Sequence, residues 1–387
     1  MADYYNWNSS TSGYYYYYYD TMAYLNWTSA QFVTTRDDQI RDQIKFYSNI
    51  IYGALCGLGL TLNLTVFIII TVVLRVQNVS DLLILNLAAA DTIYLGFLPF
   101  VVAKNLQGEW LYGKFMCKLY QFSTGVNRYG SALFLTLLCC DRYLAVCHAL
   151  VAKRYWHLRS GALAIVGCWA LATGLMLPIL YYSNVGKEYY MDYMGRVRFK
   201  TQCAIYWHVD LINATTNETY RAEAAFGRQW FSLYTVLFGF LILFTTWTLY
   251  SRVLVHLWSN RFIEKQEIRR RTRKITRLVF ALLLVYTLCW LPYWIFTLLL
   301  EFAPSVLFNQ SSEFYVIALC SYSLNYVNSA LNPLLYTCVN TTYRQMIKAK
   351  CCPRIRHYQA VSQEPRETEL RIRSSKVSVP SCSALAI

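Results

Sequence analysis

Seven long apolar runs decide what this chain can become. They cover roughly residues 47–75, 81–104, 115–147, 160–182, 229–256, 274–301 and 314–338, and each is at or above the ~20 residues that cross a bilayer as a helix. A backbone in lipid must satisfy its own hydrogen bonds, so runs of this kind become helices. One such run suits the core of a large soluble protein; seven in series, joined by polar connectors, do not. The composition agrees, with 56% hydrophobic and only 15% charged residues, against the ~25% charged that is usual for soluble domains. The expected fold is all-α: an integral seven-helix bundle over 47–340, followed by a short amphipathic eighth helix at 341–352. Tails at 1–46 and 353–387 are expected to be disordered.

Lysine and arginine orient the bundle. The first tail and the connectors after the second, fourth and sixth runs hold 12 of the 36, and the opposite side holds 23, concentrated at Arg261–Arg277 and Arg344–Lys376. Positive charge favours the cytosolic side, which puts the N-terminus outside a plasma membrane and the C-terminus inside. The net charge of +15 is then explained by acidic lipid and cytosolic partners, with no need for nucleic acid. One residue belongs to neither side: Arg128, in the middle of the third run.

Sequons and cysteines fit this sidedness. Asn8, Asn26, Asn213, Asn217 and Asn309 lie on the expected outside and are candidates for glycosylation, whereas Asn63, Asn78 and Asn340 lie in membrane or cytosol and should be silent. The polar N-terminus shows no cleavable signal peptide, so the first run is expected to serve as its own insertion signal. Of 13 cysteines only Cys117 and Cys203 fall outside, the number one disulfide needs in an oxidising compartment. Cys351 and Cys352, just past the amphipathic segment, are candidates for palmitoylation. The tyrosine run Tyr14–Tyr19, next to Asp20, reads either as a sulfated anionic lure for a basic ligand or as a solvated spacer.

The order of motifs resembles the rhodopsin-like G-protein-coupled receptors from about Tyr47 to Cys352. Asn63 lies in the first run and "LNLAAAD" ends on Asp91 in the second. Trp110 precedes Cys117, "DRYLAVCH" closes the third run, Trp169 marks the fourth, "CWLP" the sixth and "NSALNPLLY" the seventh. "RRRTRKITRLVFALLLVYTLCWLPYWI" and "LPILYYSNV" are most similar to the somatostatin, opioid and allatostatin-C type peptide receptors. The resemblance implies an extracellular peptide ligand and a heterotrimeric G protein, Gi/o among the nearest relatives, with arrestin as a further partner through the Ser/Thr-containing tail. It implies a ligand pocket of Gln121, Thr124, Arg128, Tyr234, Trp290, Tyr293, Thr297, Tyr322 and Tyr326. It also implies a polar core of Asp91, Asn127, Ser131, Asn328, Ser329 and Asn332 that takes a sodium ion. Asp141, Arg142, Tyr143, Tyr250, Pro292, Pro333 and Tyr336 would carry activation, the prolines as hinges.

Four positions depart from the family pattern. The fifth run lacks its proline, Ala149 replaces a proline of the second cytosolic loop, and Tyr286 replaces a phenylalanine. Thr124 stands where amine, opioid and somatostatin receptors carry an aspartate that pairs with a ligand amine. An allatostatin-like or other neuropeptide fits such a site better than a biogenic amine; a non-peptide anionic small molecule is the alternative. Other classes fit less well. Residues 312–343 hold no lysine for a retinal Schiff base, no repeated halves suggest a transporter, and the five histidines show no metal-ligand spacing, so neither enzyme chemistry nor a metal centre is expected.

Arg128 lies eleven residues past Cys117, about 16 Å along a helix. An uncompensated charge at that depth costs at least ~2.5–3.5 kcal/mol, so a partner is expected. Either Arg128 reaches Asp91 and takes the place of sodium, or it meets an anionic group of the ligand, such as a peptide's C-terminal carboxylate.

Overall fold

The computed structural model describes residues 35–191, 196–212, 219–223, 225–259, 266–303 and 311–339. The five glycosylation candidates, Cys351, Cys352, the segment 341–352 and both expected tails (the first as far as residue 34) lie outside the described residues. The described residues through Leu335 belong to one compact unit; of the remainder only the helix end Tyr336–Val339 is described.

The seven spans form as helices. The first is Thr35–Ile68, running into a π-helical turn at Ile69–Leu74, and the second is Val79–Leu95 with Leu98–Gln107. The third is Gly113–Cys147, the fourth Leu158–Tyr182, the fifth Ala225–Ser259, the sixth Gln266–Phe302 and the seventh Ser311–Val339. A two-turn helix, Ala149–Tyr155, connects the third to the fourth. Among the described residues six helices are long and apolar enough to cross a membrane. The seventh, at 29 residues, is long enough as well, but its polar residues, including Asn325, Asn328 and Asn332, reduce its hydropathy.

Two details differ from the expected runs. The first helix starts at Thr35, twelve positions before its apolar run, because polar helix formers precede it. The second span is broken at Gly96–Phe97, and Pro99 opens the new helix, where its missing N–H has no partner to lose. Pro178, Pro292 and Pro333 instead sit inside continuous helices.

The third span is the centre of packing, touching the second, fourth, fifth and sixth. Small residues let helices approach. At Gly161 in the fourth span a Cβ would come within 2.7 Å of Val79 on the second, and at Gly125 in the third it would collide with Met176. Such close approach is the usual source of helix association in lipid, where the hydrophobic effect offers no drive. Outward positions stay apolar: Leu163, Val166, Leu241 and Phe244 are all exposed.

The connector between the fourth and fifth spans is folded. Ser183–Met191 (β1) pairs antiparallel with Val197–Ile205 (β2), with Val185 opposite Cys203, and His208–Ile212 (β3) pairs with Thr219–Glu223 (β4).

Candidate functional site

The end of the bundle that carries Cys117 is tied together several times over. A disulfide joins Cys117, near the start of the third span, to Cys203 in β2, across 86 residues of sequence. The Trp110 amide donates to the Thr201 carbonyl at 2.7 Å, the Thr201 amide and hydroxyl donate to Glu109 at 3.2 and 3.0 Å, and the Trp110 indole donates to the Gly113 carbonyl at 3.0 Å. The Lys118 ammonium donates to the carbonyls of Leu180 and Tyr181 at the end of the fourth span. Trp207 then bridges by ring contacts from Tyr182 to Phe231 of the fifth span.

Below this end lies Arg128, and the structure surrounds it with aromatic rings. Its guanidinium carbon is 4.1 Å from the Tyr293 ring centre, 5.2 Å from Trp290 and 6.0 Å from Tyr129. Ring faces attract a cation, by about 2 kcal/mol or more when desolvated, and Arg128 is 9% exposed. Tyr286, the residue that departs from the family pattern, donates its hydroxyl to the Arg128 carbonyl at 3.1 Å. Tyr293 continues the contact to Tyr322, ring centres 5.1 Å apart. Arg128, Trp290, Tyr293 and Tyr322 are thus brought together as one chain of contacts.

The other expected pocket residues are placed less uniformly. Gln121 and Thr124 are half-buried on the third span, with the Thr124 hydroxyl returned to the Tyr120 carbonyl. Thr297 donates to the Tyr293 carbonyl, and Tyr234 to the Leu175 carbonyl at 2.8 Å, joining the fifth span to the fourth. Tyr326 is 5% exposed and packs with Tyr52, Tyr94 and Tyr120, so it belongs to a tyrosine cluster joining the first, second, third and seventh spans.

Asp91 is fully buried, and both its oxygens accept from amides: Asn127 Nδ2 at 3.1 Å and Asn332 Nδ2 at 2.8 Å. Arg128 is not among its partners in the described residues. Ser131, Asn328 and Ser329 are also buried. The Asn127 Oδ1, the Ser131 hydroxyl and the Asn328 side-chain amide have no hydrogen-bond partner among the described residues. Buried polar atoms are seldom left so, and a carboxylate among free oxygens is the donor set a hard cation takes.

At the opposite end one carboxylate gathers three elements. Arg142 pairs with Asp141, its Nε 3.0 Å from Oδ2. The Ser80 hydroxyl, at the start of the second span, donates to the same Oδ2 at 2.6 Å and accepts from Arg142 at 2.5 Å. The Trp156 indole, just before the fourth span, donates to Oδ1 at 2.9 Å. Tyr143 is bonded to His148 at 3.1 Å, and Tyr250 reaches the Thr276 carbonyl at 3.4 Å while stacking on Phe280. Pro292 lies in the sixth span two residues past Trp290, Pro333 in the seventh beside Asn332, and Tyr336 in the last described turn of the seventh helix.

Comparison with known proteins bears on this arrangement directly. Residues 62–336 match the family described as 7 transmembrane receptor (rhodopsin family). The chain belongs to the rhodopsin family of seven-transmembrane receptors. It is 30% identical over 306 residues to the neuropeptides B/W receptor type 1 of Homo sapiens, covering 77% of this chain and 85% of that protein. It is 29% identical over 344 residues to the somatostatin receptor type 5 of Bos taurus, covering 87% and 85%. To the somatostatin receptor type 2 of Mus musculus it is 26% identical over 307 residues, 78% and 76% of the two chains. The receptor is a multi-pass membrane protein and not an enzyme.

One pair in the receptor was not legible in its sequence. Arg228 of the fifth span and Glu301 of the sixth are 3 and 0% exposed at their side chains, with Nε 3.0 Å from Oε1. Arg228 reads as a flanking charge only if the fifth helix starts at 229; it starts at Ala225, which places Arg228 inside it. The signal available was Glu301, the lone acid in the run from 276 to 302.

Proposed function

We propose that this receptor binds an extracellular neuropeptide at its Cys117 end and activates a heterotrimeric G protein, of the Gi/o class, at its Arg142 end. The observation that carries the reading is the contact of Arg128 with Tyr293 and Trp290, one residue from the Asp91 cluster through Asn127, beneath a strand hairpin tethered by a disulfide. The names of the relatives, receptors for somatostatin and for neuropeptides B/W, support a peptide ligand. The N-terminus outside a plasma membrane, glycans on the outer asparagines, palmitate on Cys351 and Cys352, and arrestin at the tail belong to the same proposal.

In the mechanism the ligand binds the active arrangement more tightly than the inactive one and so shifts an existing equilibrium. A ligand group that competes for the Arg128 guanidinium changes its hold on Trp290 and Tyr293, two residues next to Pro292 in the sixth span. Asp91 with Ser131, Asn127 and Asn328 would hold a sodium ion, whose positive charge compensates the carboxylate; Asn332 positions that carboxylate from the seventh span. At the far end, separation of Arg142 from Asp141 frees the guanidinium for the G protein.

Because Arg128 carries a full positive charge into the site, the group it meets is anionic: a peptide's C-terminal carboxylate, or an acidic side chain. Screening a neuropeptide library for agonist-dependent nucleotide exchange on Gi/o identifies the agonist. Arg128→Gln is then assayed with its free-acid and amidated forms, and the variant should lose potency for the acid and cease to distinguish the two. A variant that keeps the preference removes Arg128 from the ligand site. Exchange driven by no peptide but by a small anionic metabolite would replace the neuropeptide reading.

A further inference from the structure

The fifth span bears a groove that neither ligand recognition nor the Asp141 cluster uses. It measures about 830 Å³ and is formed between the Arg142 end of the third span and the facing side of the fifth. Along the fifth span its lining recurs at three- and four-residue steps from Phe244 to Ser259, so it is a single stripe on one helix face. That stripe changes character along its length. Phe244 and Trp247 are at one end, Thr248 follows, and Arg252 and His256 lie toward the other, with His148 of the third-to-fourth connector lining the same groove.

Three observations identify what such a groove accepts. Phe244 is 71% exposed on a helix long and apolar enough to span a membrane, so the apolar end opens to hydrocarbon. Arg252 is exposed and has no protein partner among the described residues, and His148 is held in place by the Tyr143 hydroxyl, so the other end offers positive charge and ring donors. The stripe from Phe244 to Ser259 is about 22 Å long at ~1.5 Å per residue, and half of a bilayer with its headgroups is about 20–22 Å. The groove therefore matches one leaflet in length and in the order of its chemistry, apolar inward and basic at the surface.

We propose that this groove is a binding site for an anionic glycerophospholipid, with an acyl chain along Phe244, Trp247 and Thr248 and the phosphate at Arg252 beside His148 and His256. The proposal rests on the membrane placement of the receptor and is independent of which ligand activates it. It differs from the attraction of any basic surface to acidic lipid in needing the groove itself.

The test uses the full chain in detergent, offered phosphatidylserine or phosphatidylcholine of identical acyl chains, with bound lipid counted by native mass spectrometry. One phosphatidylserine per chain should be retained in preference to phosphatidylcholine. Arg252→Gln should lower that retention roughly tenfold, or about 1.4 kcal/mol, and Arg252→Lys should largely restore it. Thr248→Trp, which fills the apolar part without changing charge, should lower it as well. Arg159→Gln, an exposed arginine outside the groove, should not. Equal losses from Arg159→Gln and Arg252→Gln would reduce the effect to general surface charge and overturn the site, as would full retention in Thr248→Trp. If Arg252→Gln keeps its lipid but loses nucleotide exchange, the face belongs to the G protein and the lipid assignment falls.

Discussion

The two ends of the bundle are held in opposite ways. At the Cys117 end the contacts are parallel: a covalent bond, nine residue pairs of strand register, and hydrogen bonds from Trp110, Thr201 and Lys118 that go to separate residues. Losing one leaves the rest. At the Arg142 end the contacts converge: Ser80 and Arg142 share one oxygen of Asp141, and Trp156 takes the other. Changing that one carboxylate changes all three together. An assembly of parallel contacts keeps its shape under load, while one whose contacts share an atom has two distinct conditions, assembled and released. The first suits a fixed entrance and the second a switch.

The comparison is tested most forcefully at the buried ion pair between the fifth and sixth spans. Arg228→Met removes one side of the buried pair with Glu301, and removing one member of a buried pair typically costs about 3–5 kcal/mol. Thermal unfolding of the purified receptor should show it, and Arg228→Met with Glu301→Leu should recover most of the loss. A single variant as stable as the parent would mean that the pair contributes nothing to holding the fifth and sixth spans. Cys203→Ser comes next, at about 2–5 kcal/mol by analogy with small extracellular domains. Its measurable outcome is lost surface expression or ligand binding. Normal binding would show that β1, β2 and Trp110 hold the entrance unaided, an even stronger form of parallel restraint.

Smaller effects are expected at the other end, and of a different kind. Asp141→Asn removes the charge from bonds worth about 1.5–3 kcal/mol each when one partner is ionised. Because those bonds hold the assembled condition, agonist-free nucleotide exchange should rise while global unfolding moves little. Unchanged basal exchange would deny that the cluster restrains activation. Trp156→Phe removes one hydrogen bond of about 0.5–1.5 kcal/mol and should give a weaker version of the same rise. If it equals Asp141→Asn, the indole rather than the ion pair is the principal restraint.

Legibility in the sequence followed the range of the interaction. The spans could be read because hydropathy is a local property, and Asp141–Arg142 because the two are adjacent. The amide wrapping of Asp91 was readable as a set of residue types but not as geometry, since Asn127 and Asn332 come from spans 36 and 241 positions away. The ring cage of Arg128 is half visible: Trp290 and Tyr293 stand with it in the expected pocket, whereas Tyr129 and the Tyr286 hydroxyl do not, because their aim depends on helix rotation. Strand β2 carries a local signal in the sequence. Val197, Phe199, Thr201 and Cys203 alternate with Arg198, Lys200 and Gln202, the period of two that marks a strand. The Arg228–Glu301 pair left almost none, with 73 positions between its members.

The third span carries Cys117, Thr124, Arg128, Asn127, Ser131, Asp141 and Arg142 on one uninterrupted helix of 35 residues with no proline. It is about 52 Å long at ~1.5 Å per residue, and it packs most extensively on the second, fourth, fifth and sixth spans. The sixth and seventh spans each contain a proline where bending is cheap. Mechanically the third span is the stator of the machine: a continuous, proline-free rod, pinned by its disulfide near one tip. On the proposed mechanism, torque applied at Arg128 is taken up by the jointed sixth and seventh helices, while the rod that carries Asp141 and Arg142 stays still.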